Sequence, residues 1–282
     1  MSRRAKRPTT PPATPPAPPT DPRQRLLADL AVLRVAVTPQ TLDEVLAQGA
    51  QHGWSHLEFA ARLLGSAAAR RRERSLERRL IDAHLRDAPT LETFDWHFNA
   101  ATIKRPQIEE LASCAFVRRQ ENIIVVGQSG LGKSHIFKAI GRCACVQGFR
   151  ARYTTSAALI TDLKKTLADD TLTVRLRYWK NFDLLIIDEF GFDRLERQSC
   201  LEAPQLLYKV IEGRHGQRST VLVTNVDFEA WGAYLGDAPL AMAFLDRLVD
   251  GALVLKLRGR SYRAARAKNL ECEKEPDKPA KE

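Results

Sequence analysis

The feature that most constrains this chain is the run GQSGLGKS at residues 127–134. It matches the phosphate-loop pattern G-x-x-x-x-G-K-[ST] at every fixed position. The mostly apolar run 122–126 before it is rich in β-branched residues and is typical of a buried strand. After it, Ile136, Ile140 and Ala144 recur with helical spacing. Strand, glycine loop and helix in this order predict an α/β fold, with a central parallel sheet flanked by helices.

A loop of this kind binds phosphate because glycines let the backbone curl until successive N–H groups point at one anion. The helix that follows begins with unpaired N–H groups and a partial positive charge. Lys133 is expected to reach the β- and γ-phosphates of a nucleoside triphosphate, and the Ser134 hydroxyl to ligate Mg²⁺. An ordinary glycine turn is the alternative. The predicted nucleotide-binding residues are Gly127, Gln128, Ser129, Gly130, Leu131, Gly132, Lys133, Ser134 and His135.

Two consecutive acids end a second apolar run, DLLIIDE at residues 183–189. Four large apolar residues in succession suit a strand buried on both faces of a parallel sheet. Acids at the carboxyl end of such a strand lie where ligands bind. We therefore expect Asp188 in the Mg²⁺ shell and Glu189 as the group that orients and deprotonates the attacking water. A strand that ends in surface acids is the alternative.

A third apolar run, residues 219–225, ends in Asn225. As a parallel strand it would bring this amide to the same sheet edge as the two acids. Asn225 is predicted to hold the attacking water or the γ-phosphate, and its alternative role is a helix cap before Phe228.

The pattern upstream of the core is helical. A capping box, SHLE at residues 55–58, starts one helix, and further along comes a basic stretch with six arginines within residues 70–79. Leu76 and Leu80 form its core-facing stripe. The candidates for contacts with a DNA phosphate backbone are Arg70, Arg71, Arg74 and Arg78. A solvated face with i,i+4 ion pairs to Glu73 and Glu77 is the alternative.

The charge balance agrees with a polyanionic partner, because 44 Lys and Arg against 34 Asp and Glu give a formal net charge of +10. No apolar run approaches the roughly 18 residues of a membrane span. The basic N-terminus has no apolar signal region, so we expect a cytoplasmic protein without a membrane partner. The five cysteines form no C-x-x-C pair and are expected to be reduced thiols.

With these motifs in place, the chain resembles the AAA+ ATPases, and within them the IstB-like group. That group comprises helpers of insertion-sequence transposases and relatives of the DnaC helicase loader. The likeness covers residues 25–268. It is carried by TLETFD at 90–95, QIEELA at 107–112, LIIDE at 185–189, AFLDRL at 243–248 and RGRSYR at 258–263.

The resemblance implies a bacterial helper ATPase that uses ATP and Mg²⁺, forms a nucleotide-dependent homo-oligomer on duplex DNA, deforms it, and recruits or stimulates a transposase. The family's arginine finger would fall on Arg247, completing the ATP site of a neighbouring subunit. From the residues alone, Arg247 could instead be a surface arginine paired with Asp250. The second sensor would fall on Arg263. Fewer than 20 residues follow it, so we expect no full C-terminal lid.

The predicted organisation is a disordered Pro- and Arg-rich tail (1–24), a helical N-terminal domain (25–88), a linker (89–106), an AAA+ ATPase domain (107–268) and a disordered charged tail (269–282). Three functional alternatives stay open. A DnaC-like loader would act on a replicative helicase. A small-molecule phosphotransferase would need an acceptor pocket and an inserted lid. A nucleotide-gated DNA scaffold would show negligible turnover.

Overall fold

The computed structural model of the chain describes residues 21–191 and 202–266. The tail 269–282, residues 1–20 of the other predicted tail, and two of the cysteines, Cys200 and Cys272, lie outside these residues. By its internal contacts the chain divides into two compact units, Met1–Arg74 and Ser75–Glu282.

The described part of the first unit consists of helix α1 (Pro22–Val32), helix α2 (Pro39–His52) and the start of helix α3 (His56–Asp82), which continues into the second unit. The capping box at the start of α3 is confirmed. The Glu58 amide donates to Ser55 Oγ at 3.3 Å, and the Ser55 amide donates to Glu58 Oε2 at 2.8 Å. Helix α1 begins three residues before the predicted boundary of the tail, because Asp21 caps it and Pro22 is preorganised for the first helical position.

The second unit is built on one parallel sheet with the strand order β2-β3-β4-β1-β5. Its strands are β1 (Ile123–Gly127), β2 (Ala151–Thr155), β3 (Leu184–Phe190), β4 (Ser219–Thr224) and β5 (Leu253–Leu257). Its further helices are α4 (Arg105–Ala112), α5 (Ala115–Arg118), α6 (Lys133–Val146), α7 (Ser156–Lys165), α8 (Leu172–Lys180), α9 (Ala203–Glu212), α10 (Trp231–Leu235) and α11 (Ala238–Val249). Short 3₁₀ turns lie at Leu91–Thr93 and Phe228–Ala230. The predicted α/β fold with a central parallel sheet is confirmed. Helix α4 begins inside the predicted linker.

Both faces of the sheet are covered, which explains the unbroken apolar runs in its strands. Ile123, Val125 and Ile186 belong to a core shared with the end of α3 and with α4, α5 and α6. Their neighbours Ile124 and Ile187 belong to a core shared with α7, α8, α9, α10 and α11. Because successive residues of a strand point to opposite faces, each run must be apolar at every position. No helix in the described part of the chain has the length and apolar character that crossing a membrane requires.

A buried arginine ties together the edge of the sheet where the strands begin. The Arg214 side chain is 1% exposed. Its guanidinium donates to Thr220 Oγ1 at 3.0 Å, to the Phe182 carbonyl at 2.8 Å and to the Ser219 carbonyl at 2.5 Å. Burial lowers its pKa to about 9, so the group remains charged at neutral pH. Its buried hydrogen bonds thus join the chain segments that lead into β3 and β4.

We expect Arg214→Met to lower the free energy of unfolding by about 3 kcal/mol or more, because it leaves several buried carbonyls without donors. The measurement is urea unfolding followed by circular dichroism. The control is Arg218→Met, which removes a partly exposed ion pair with Asp183 and should cost no more than about 1 kcal/mol. Equal stability of the two variants would contradict the role assigned to Arg214.

Candidate nucleotide-binding site

The glycine loop lies between β1, which ends at Gly127, and α6, which begins at Lys133, as predicted. Gly130 and Gly132 adopt φ values of 83° and 84°, a left-handed conformation that other residues rarely adopt. Space also excludes a side chain at these positions. A Cβ on Gly132 would lie 2.6 Å from Phe94 Cε2, and one on Gly130 would overlap the side chain of Ser261. The loop therefore requires glycine for its backbone conformation and for its close packing.

Lys133 is a buried cation at the base of this loop, with 7% of the residue exposed. Its Nζ donates to the carbonyls of Gly127 at 2.5 Å and Gln128 at 2.8 Å. Burial lowers the pKa of the ammonium; the Asp188 carboxylate opposes this change and Arg263 adds to it. The nearby Arg263 makes this part of the site strongly attractive to an anion.

A cavity of about 340 Å³ opens above the loop. Among the predicted residues it brings together most of the loop, both acids and the arginine beyond β5. Gly127 and Gln128 do not line it but hold the Lys133 side chain. The lining residues are Thr93, Phe94, Asp95, Phe98, Asn99, Ile103, Ser129, Gly130, Leu131, Gly132, Lys133, Ser134, His135, Asp188, Glu189, Tyr262 and Arg263.

The two acids at the end of β3 have different environments. Asp188 is 2% exposed, whereas Glu189 is exposed. Ile187 pairs with Leu222 and Phe190 with Thr224, so two residues of β3 face one residue of β4. This is a β-bulge, and Glu189 within it adopts a left-handed φ of 59°. The bulge lets both consecutive acids line one cavity instead of pointing to opposite faces, at a cost in backbone strain.

The chemistry of this end of the cavity fits Mg²⁺. The Ser134 hydroxyl and the Asp188 carboxylate both line the cavity, and hard divalent cations prefer such oxygen ligands. One Asp188 oxygen accepts the Glu189 amide at 2.8 Å and the other accepts the Tyr153 hydroxyl at 2.7 Å. Each carboxylate oxygen keeps a lone pair for a metal or a metal-bound water. Ser134 and Asp188 would hold the ion.

His135 has a different environment from the rest of the loop. Its Nε2 lies 3.0 Å from the Thr90 carbonyl oxygen, and its ring packs edge-on against Phe94 at 5.3 Å between centroids. Its side chain therefore holds the segment before α4 against the loop.

That segment and the one after β5 together cover the loop, and apart from Arg263 their lining residues were not among the predicted site residues. Asn99 exchanges two hydrogen bonds with the Arg260 backbone, at 3.0 and 3.1 Å. The Tyr262 amide donates to the Gly130 carbonyl at 2.9 Å, and Phe98 packs edge-on against the Tyr262 ring. The aromatic alternation of residues 94–98 was the available signal in the sequence. These contacts bring Arg263 to the cavity.

Asn225 and Arg247, predicted for the chemistry of this site, also lie outside the lining of the cavity. Asn225 directly follows β4 and is exposed, and its side-chain oxygen is 3.6 Å from where a Cβ on Gly191 would lie. Arg247, in α11, is paired with Glu212 and Asp246, each at 2.7 Å. Arg247 is thus a surface arginine in ion pairs, as the alternative had it, but its partners are Glu212 and Asp246 in place of Asp250.

The candidate DNA-binding arginines lie on α3, where Arg70, Arg71 and Arg74 belong to the first unit and Arg78 to the second. All four are exposed. Within residues 21–191 and 202–266, no ion pair engages them, and Glu77 is paired with Arg86 at 3.6 Å. The predicted i,i+4 pairs are thus not formed, so these four positive charges are not neutralised by a carboxylate of the described chain.

Solved structures with a similar fold include the DnaC helicase loader and DnaI. The match to DnaC has a TM-score of 0.50 and 20% identity, covering 62% of this chain and 99% of that one. The match to DnaI has a TM-score of 0.51 and 19% identity, covering 62% and 92%. At this identity the comparison establishes the fold alone.

Sequence comparison identifies nearer relatives. The chain is 33% identical over 226 residues to the insertion sequence IS5376 putative ATP-binding protein of Geobacillus stearothermophilus, covering 80% of this chain and 88% of that protein. It is 34% identical over 222 residues to the insertion sequence IS21 putative ATP-binding protein of Pseudomonas aeruginosa, covering 79% and 82%. Residues 28–270 match the family described as IstB-like ATP binding protein. Together with the phosphate loop and the two acids in one cavity, these matches establish that the chain belongs to the IstB-like ATP-binding protein family.

Proposed function

We propose that this protein hydrolyses ATP and uses it to assemble with itself on duplex DNA, to deform that DNA, and to recruit or stimulate a partner transposase. The observation that carries the proposal is the single cavity in which Lys133, Asp188 and Glu189 lie together. Membership of an ATP-binding family supports ATP as the nucleotide.

In the proposed reaction, Lys133 and Arg263 bind the oxygens of the triphosphate and offset their negative charge. A bound Mg²⁺ supplies further charge neutralisation at the phosphates. Glu189, exposed in the cavity, accepts a proton from the attacking water. The oxygen of that water bonds to the γ-phosphorus, and the bond from this phosphorus to the β–γ bridging oxygen breaks. Asn225, beyond β4 at the same sheet edge, holds the water or the γ-phosphate after a small local movement.

Arg247 acts in the site of a neighbouring subunit. Its position outside its own cavity supports this role. Its contacts with Glu212 and Asp246 are surface ion pairs, which are weak enough to exchange for a phosphate. A γ-phosphate shared by two subunits makes assembly depend on ATP, and hydrolysis weakens the interface again.

The partner of the assembled protein is DNA, contacted through the exposed arginines of α3. An oligomer repeats the weak phosphate contacts of each subunit along the duplex, so their energies add. Such contacts respond to the backbone and its deformability rather than to base edges, so little sequence specificity follows. The insertion-sequence relatives favour a transposase as the partner protein. Loading of a replicative helicase is the alternative, because the fold is similar to that of the DnaC helicase loader.

The size of the protein on a short DNA duplex tests the proposal directly. We expect large DNA-bound assemblies with ATP, because the γ-phosphate completes the interface, and their loss with ADP. In Glu189→Gln the assemblies should persist with ATP, since glutamine cannot accept the proton. Gel filtration with light scattering measures these states. A protein that stays monomeric and ignores DNA in every state would contradict both assembly and DNA binding, and would favour the phosphotransferase.

The DNA-binding role of α3 is tested by replacing its four candidate arginines with glutamine and measuring DNA affinity against salt concentration. We expect roughly tenfold or greater weakening at low salt. Each lost phosphate contact should also lower the slope of log K against log salt by about 0.9. The variant replaces Arg70, Arg71, Arg74 and Arg78.

The matched control removes the same charge from four arginines that are ion-paired with carboxylates. It replaces Arg23, Arg86, Arg105 and Arg119. DNA affinity should change much less in this control, because its arginines are already neutralised locally. Similar losses in the two variants would instead indicate a general effect of net charge.

The trans role of Arg247 is tested by mixing two inactive variants, Lys133→Ala and Arg247→Ala. Each alone should lose about 10³-fold in ATP hydrolysis with DNA present. In the mixture, a Lys133→Ala subunit supplies its Arg247 to the intact site of its neighbour, so a measurable fraction of activity returns. The control replaces the Lys133→Ala protein with the double variant, which has no arginine to supply. Equal rates in the two mixtures would exclude action in trans.

A further inference from the structure

Tyr153 is a residue of β2 whose hydroxyl contacts one of the two side chains expected to hold Mg²⁺. It donates to one oxygen of the buried Asp188 carboxylate at 2.7 Å. Burial, reinforced by this hydrogen bond, raises the pKa of Tyr153 well above its usual value, so the phenol keeps the proton that it donates.

The phenol proton is directed at Asp188, so that carboxylate keeps one orientation although little water reaches it. The Tyr153 hydroxyl thereby sets the direction of one of the two side chains that would hold Mg²⁺.

Rigid elements hold the Tyr153 ring in place. Its strand pairs with β3, with Tyr153 opposite Ile186 and Thr155 opposite Asp188. The Lys138 ammonium, on α6, lies 4.6 Å from the centroid of the ring. The hydroxyl is therefore held between the strand that carries Asp188 and the helix that carries Ser134, and it needs no movement to act.

We propose that Tyr153 is a positioning residue for Mg²⁺, which orients Asp188 before the ion binds. The inference rests on the proposed binding of Mg²⁺ and ATP and adds a residue outside the cavity lining to it. Groups that hydrogen-bond a metal ligand typically contribute 10- to 100-fold to metal affinity. Loss of this one hydroxyl should therefore weaken Mg²⁺ binding while leaving the magnesium-free nucleotide contacts intact.

The test is Tyr153→Phe, which keeps the ring and removes only the hydroxyl. ATP binding is measured by calorimetry, first in EDTA and then across a Mg²⁺ titration at fixed ATP, in the Glu189→Gln background so that ATP stays intact. We expect unchanged affinity in EDTA and a Mg²⁺ midpoint raised roughly tenfold or more. Free ATP chelates Mg²⁺ equally in every sample, so a difference in the Mg²⁺ midpoint between variants arises from the protein. Tyr178→Phe, which removes a hydroxyl outside the cavity, is the control and should leave the midpoint unchanged.

A double-mutant cycle separates positioning from a general structural effect. If Tyr153 acts through Asp188, adding Tyr153→Phe to Asp188→Asn should shift the Mg²⁺ midpoint no further. A midpoint in Tyr153→Phe equal to that of the Tyr178 control overturns this inference and leaves the proposed function standing. Additive shifts in the cycle also overturn it. Absence of ATP binding by the unsubstituted protein overturns the proposed function together with the inference.

Discussion

Both faces of the parallel sheet are buried under helices, so polar chemistry in the second unit is confined to the ends of its strands. The strand order places β4 between β3 and β1, and all strands run in the same direction. Their carboxyl ends therefore meet at one edge, where Gly127, Asp188 and Asn225 end or follow adjacent strands. At the opposite edge, the buried Arg214 satisfies the carbonyls with which β3 and β4 begin. The burial of both sheet faces thus leaves two edges with different roles. The edge with Arg214 stabilises the sheet, and the edge with Gly127, Asp188 and Asn225, here called the chemical edge, carries the side chains of the site.

The chemical edge is suited to bind an anion, because short-range contacts hold its charged side chains in position. The Lys133 ammonium is bound by two carbonyls of its own loop, which are neutral acceptors. A phosphate oxygen that took their place would add a full opposite charge in a site of low dielectric. Asp188 is fixed by a backbone amide and by Tyr153, so its charge is oriented before any ligand arrives. Such preorganisation lowers the reorganisation needed for binding and for reaction.

The cover of the site connects it to distant parts of the sequence. The segment before α4 and the segment after β5 are joined by Asn99 and Arg260, and both rest on the glycine loop. Arg247, by contrast, lies outside this cavity and is held by two surface carboxylates. In the proposed mechanism this separation is useful, because a residue that cannot complete its own site can report the nucleotide state to a neighbour.

The glycine loop, the two acids near a strand end and the α/β class could be predicted from the amino-acid sequence. Each depends on neighbours in the chain, because glycine permits a left-handed backbone and apolar runs form strands buried on both faces. The folded structure was needed to show that a bulge lets Glu189 and Asp188 share one cavity, and that Glu212 and Asp246 hold Arg247. It alone brought Tyr153 to Asp188 and Asn99 to Arg260, because these residues lie 35 and 161 positions apart. Short sequence motifs reflect the conformational preferences of neighbouring residues, whereas contacts between distant residues depend on strand order and packing.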